Sequence, residues 1–95
     1  MKTVHYYPVD PPDKDDTVTL RMPKGAQLLT IMIVMRRVRL YALVDAKAPK
    51  SERCIRVVST GSDIGSDEKL IYIGSCSVDD GGSPLVFHFF EKLSP

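Results

Sequence analysis

The sequence predicts an all-β domain of about seven short, mostly antiparallel strands, arranged as a small sandwich or open barrel. Three observations predict it. β-prone runs recur every 8 to 12 residues or so, with turn residues between them. Several runs alternate apolar and polar side chains with period two, the pattern of a strand with one face buried. No heptad, internal repeat or amphipathic helical stretch interrupts this order.

The first run is Lys2 to Tyr7. It stops at Pro8, and the segment from Asp10 to Asp16 cannot extend it, because Pro11 and Pro12 lack donors and the acidic cluster favours water. The second run, Thr17 to Met22, places Val18, Leu20 and Met22 on one face and Thr17, Thr19 and Arg21 on the other. A tight turn over 23–26 follows, with Pro23 presetting its φ and Gly25 free to take a positive one. The third run, Gln27 to Met35, is apolar on both faces: Leu28, Met32 and Val34 against Leu29, Ile31, Ile33 and Met35. A central strand covered on both sides reads this way, and so does an exposed strand that meets a partner; the central position is the expectation.

Arg36 and Arg37 fall where a hairpin should turn into the fourth run, Val38 to Asp45. There Val38, Leu40, Ala42 and Val44 share a face. After a loop over 45–52 comes the fifth run, Arg53 to Thr60. The polar connection 61–69 has room for one short helical turn near 62–68, with Ser66 or Asp67 as its cap. The sixth run is Leu70 to Val78, the residues 79–84 form a hairpin turn, and the last run is Leu85 to Glu91.

A chain of 95 residues suits one domain spanning 1–95. The 13 basic and 12 acidic side chains nearly balance, which argues against a nucleic-acid binder of the usual basic kind. No stretch reaches the roughly 18 apolar residues of a membrane helix, and the N-terminus lacks the apolar core of a secretory signal. Cys54 and Cys76 have no metal-ligand spacing and read as two half-buried thiols, with a cross-strand disulfide as the alternative.

The chemistry of catalysis is not written here. His5 and His88 have no motif beside them, and no nucleophile elbow exists. The acidic segments lack the alternating ligand register of a calcium loop, and no glycine-rich stretch opens a helix that could cradle phosphate. No cofactor and no metal are expected. His88, between Val86 and Phe90 on one face of the last run, reads as a packing residue hydrogen-bonded to a neighbouring segment.

One resemblance covers nearly the whole chain. It rests on Lys2, His5, Tyr7 and Pro8; on the Met22, Pro23, Gly25, Ala26 turn; and on the ending Gly81-Gly82 to Leu85, Val86, Phe87, His88 and Glu91. Together these residues resemble a family of small bacteriophage- and prophage-encoded proteins of unknown function. Two positions depart from its pattern. Met35 and Arg36 stand where that family has an Asn-Gly type turn, and Ser62 and Asp63 stand where it often has His-Pro. The resemblance implies a phage or prophage origin, and with it the cytoplasm of a bacterial host, and it brings no enzymatic assignment, because that family is itself uncharacterised. Small phage proteins of this kind are often accessory factors that bind and disable a host system, as anti-CRISPR and other counter-defence proteins do.

The leading expectation is thus a non-enzymatic accessory protein that inhibits a host protein. Its contact residues would be Ile31, Ile33, Met35, Arg36, Arg37, Arg39 and Tyr41, an apolar strand rimmed by arginine. A structural, self-assembling β module is the alternative, which makes a homo-oligomer the other candidate partner. Nucleic-acid binding through the arginine clusters (Arg36, Arg37 and Arg39; Arg21 and Lys24; Lys50, Arg53 and Arg56) is the third.

Overall fold

The computed structural model describes residues 1–79 and 81–93. Among them are seven strands: β1 (Thr3–Pro8), β2 (Thr17–Pro23), β3 (Gln27–Val34), β4 (Arg37–Val44), β5 (Lys50–Ser59), β6 (Leu70–Asp79) and β7 (Pro84–Lys92). All pairings are antiparallel. A three-stranded sheet runs β1-β4-β3 and a four-stranded sheet runs β2-β5-β7-β6. The two stack as a sandwich, and the core lies between them.

Alternation built these layers. Leu20 and Met22 of β2, Leu40, Ala42 and Val44 of β4, and Ile55 and Val57 of β5 all point inward and are buried, with Phe89 of β7 beside them. Met22, Leu40, Val44 and Ile55 are wholly enclosed, each contributing about 1.5–3 kcal/mol through the apolar surface it removes from water. Arg53 and Glu91 also lie on the inner face. They form a bidentate ion pair, and Arg53 Nη1 donates to the Ala26 carbonyl at 2.9 Å, so the pair closes one end of the core.

β3 is an edge strand, not a central one. Its apolar character on both faces has two separate causes. A bulge at Leu29 turns Leu28 to the same side as Ile31 and Ile33, toward the core, while Met32 and Val34 face out. Its free edge also abuts β6, where Gly74 sits so near that a β-carbon there would lie 3.3 Å from the Ile31 backbone nitrogen. β6 has its own irregularity at this point, between Tyr72 and Gly74.

Other expectations are revised in detail. β5 begins at Lys50, because Lys50, Ser51 and Glu52 pair with Pro23, Met22 and Arg21. The connection 61–69 holds no helical turn; Glu68 N–H bonds the Gly65 carbonyl at 3.1 Å, which closes a simple turn. The turn over 23–26 forms as expected, with Gly25 at φ 82°. In the turn over 79–84, the Asp79 carboxylate accepts the Gly81 N–H at 2.9 Å, while Asp80 lies outside the described residues. Cys54 and Cys76 are free thiols. They cannot bridge, since they face opposite sides of one sheet with β7 between them, and their β7 partners, Lys92 and Phe87, lie far apart along that strand.

Candidate functional site

Among the described residues, no layer lies over the outer face of the three-stranded sheet. Register places Val4 and Tyr6 of β1 opposite Leu43 and Tyr41 of β4, with Met32 of β3 opposite Arg39. All six share the outer face. Val4, Tyr6 and Met32 are each about half exposed, at 52%, 49% and 49%. The Arg39 guanidinium carbon lies 4.0 Å from the centre of the Tyr6 ring, and the Tyr6 and Tyr41 rings are 6.1 Å apart. A cation held on an aromatic face keeps both side chains ordered and flat against the sheet. Tyrosine, methionine and arginine over an apolar floor is the composition that sets contact surfaces apart from ordinary ones.

This face ends at a hairpin tip. Met35 and Arg36 join β3 to β4, with φ of 52° and 66°. A two-residue hairpin needs positive φ at both positions, which asparagine and glycine adopt cheaply and which side chains like these resist. Met35 is nevertheless 85% exposed, so no packing offsets its backbone cost. Costly conformations retained at an exposed tip are a mark of sites selected for something besides stability.

Under the tip the sheets part. A groove of about 560 Å³ opens there, walled by Val38, Val57, Val78, Phe87 and Phe89, with the exposed Arg36, Arg37 and Asp10 also in its lining. Among the described residues, no ion pair within 4 Å involves Arg36, Arg37 or Arg39.

The residues expected to meet a partner thus divide. Met35, Arg36, Arg37, Arg39 and Tyr41 do gather along one face and its tip. Ile31 does not: it is only 5% exposed and belongs to the core, because its pairing with the buried Leu40 places it on the inner face. Ile33 also points inward and shows partly at the open end. Val4, Tyr6 and Met32 belong to the face as well. Tyr6 and Val4 sit on β1, which is separated from β3 by the whole of β2 in the other sheet, and they join the face only through the pairing of β1 with β4. In the cluster of Lys50, Arg53 and Arg56, the two arginines are taken up by ion pairs within the domain. Arg53 serves Glu91, and Arg56 donates to Glu68 at 2.9 Å and lies 3.7 Å from Asp16.

On the outer face of the other sheet, four side chains form a hydrogen-bonded chain. The Tyr72 hydroxyl is 2.6 Å from Ser75 Oγ, Ser75 Oγ is 2.8 Å from His88 Nδ1, and His88 Nε2 is 2.8 Å from Thr60 Oγ1. A serine on a histidine has the outline of an activated nucleophile. The other ring nitrogen of the histidine meets a threonine hydroxyl here, not the carboxylate of the Ser-His-Asp arrangement. The arrangement clasps β6, β7 and the end of β5 together. The acidic loop is likewise self-contained: Asp13 accepts the N–H groups of Asp15 and Thr17 and the Thr17 hydroxyl, which hold its carboxyl below the usual range. Among the described residues, no group of three or more His, Cys, Asp or Glu could hold a metal ion. Nor, among the described residues, is any helix long and apolar enough to cross a membrane.

Residues 1–95 match a family described as Domain of unknown function (DUF7352). The chain belongs to this family. No curated protein and no solved structure matches it.

Proposed function

We propose that the chain is a non-enzymatic protein-binding module, which the resemblance to phage-encoded proteins casts as an accessory factor that inhibits a host protein. The observation that carries this reading is the uncovered outer face of β1, β4 and β3. Val4, Tyr6, Met32, Tyr41 and Leu43 would leave water on contact, and Arg37 and Arg39 would supply directed donors. The strained tip at Met35 and Arg36 extends that face beyond the body of the domain.

The test is affinity capture from host lysate with the intact protein, the double variant Arg36→Glu with Arg37→Glu, and Tyr41→Glu. A specific protein retained by the first and lost by both others supports the reading. Retention by all three refutes it.

The same face, together with the free edge of β1, also favours self-association as a second reading. Light scattering after size-exclusion chromatography separates the two: a monomer at all concentrations removes self-association.

A further inference from the structure

We infer that the groove beneath the hairpin tip is a specificity pocket, which takes a large apolar side chain from an extended, acidic segment of the protein partner. The inference rests on the binding-module reading and adds the chemistry of what is bound. Three features support it.

The walls are apolar and of two kinds, aliphatic Val38, Val57 and Val78 and aromatic Phe87 and Phe89, so the interior offers contact area to an apolar group. The volume of about 560 Å³ falls within the usual ligand-site range of some 300–1,000 Å³. Yet the groove is open along its length, as the gap between two parted sheets must be. A free small molecule would keep much of its surface in water there. A side chain delivered by a protein segment would not, because the segment's own backbone covers the mouth.

Charge then selects the segment. Arg36 and Arg37 are exposed in the groove's lining with no acidic partner within 4 Å among the described residues, against the single carboxylate of Asp10. Two guanidiniums can each engage a carboxylate through paired donors. Acidic residues flanking the inserted side chain satisfy both, and basic ones would be repelled. Arg37 also borders the outer face, so pocket and face form one continuous surface.

The test titrates the isotope-labelled full chain with a terminally blocked peptide alternating aspartate with phenylalanine and leucine, and with its lysine counterpart. Backbone amide resonances are followed by NMR. The expected result is saturable shifts at Val38, Val57, Phe87 and Phe89 with the acidic peptide only, at least about tenfold weaker in Arg36→Glu with Arg37→Glu. Val78→Glu should abolish them. Val78 is 38% exposed, so this variant keeps its fold, checked by an otherwise unchanged spectrum.

Equal binding of the lysine peptide, shifts confined to the outer face around Met32 and Tyr41, absence of binding, or full binding by Val78→Glu would each overturn the inference. Lysate capture separates this failure from that of the parent reading. A partner lost with Tyr41→Glu but kept with Val78→Glu sinks the pocket alone. Capture indifferent to both, with intact peptide binding, sinks the module reading alone.

Discussion

Met35 and Arg36 stand in consecutive left-handed backbone positions at the tip of the β3–β4 hairpin, with φ of 52° and 66°. Each costs about 1–2 kcal/mol relative to a residue at ease in that region, less what the folded context recovers. Met35→Asn with Arg36→Gly should therefore stabilise the domain by roughly 1–2 kcal/mol, seen as a melting temperature raised by several degrees. Thermal unfolding followed by circular dichroism measures it. An unchanged or lower melting temperature would mean that the tip is not strained.

Gly74 is required by the approach of β6 to β3. A β-carbon 3.3 Å from the Ile31 nitrogen is tighter than ordinary contact, and its neighbour is backbone. Gly74→Ala should cost about 1–2 kcal/mol and Gly74→Val more, because the β3 edge must move away. Urea denaturation reads the difference. A neutral Gly74→Val would show that the two edges are not held together.

Tyr7 carries a buried hydroxyl with no hydrogen-bond partner among the described residues, and burial pushes its pKa upward. A buried polar group left unpaired is costly, so Tyr7→Phe should be neutral or stabilising by up to about 1 kcal/mol. A loss of stability larger than that would reveal a partner for the hydroxyl.

Glu68 accepts from Arg56 and from the Gly65 N–H, and these bonds hold its carboxyl below the usual range. A carboxyl lowered in the folded state lends stability that is present above its unfolded value and lost as pH falls through the folded one. Stability should thus decline below about pH 4. Glu68→Gln should be less stable at neutral pH and show a shallower acid decline. Asp13, lowered by its bonds from Thr17 and Asp15, keeps some of that slope. An acid decline as steep as in the parent would remove Glu68 from the account.

The strands were legible because β2 and β4 alternate without interruption: Val18, Leu20 and Met22, then Val38, Leu40, Ala42 and Val44, all turn to the core. β3 was not, because one bulge at Leu29 shifts the parity of everything before it, and a bulge leaves no mark in composition. Arg39 and Tyr41 could be placed on an exposed face from their own strand. Their neighbour Tyr6 could not, since its position depends on a pairing between distant segments. The chain from Tyr72 to Thr60 likewise joins three segments, and nothing local to any of them announces it.

The central claim is that the strained tip and the face behind it exist to bind. The most direct measurement is the affinity of the captured protein for the intact domain and for Met35→Asn with Arg36→Gly, set beside the melting temperatures of both. The account predicts a variant that is more stable and binds at least about tenfold more weakly. A variant that is more stable and binds as tightly would contradict it.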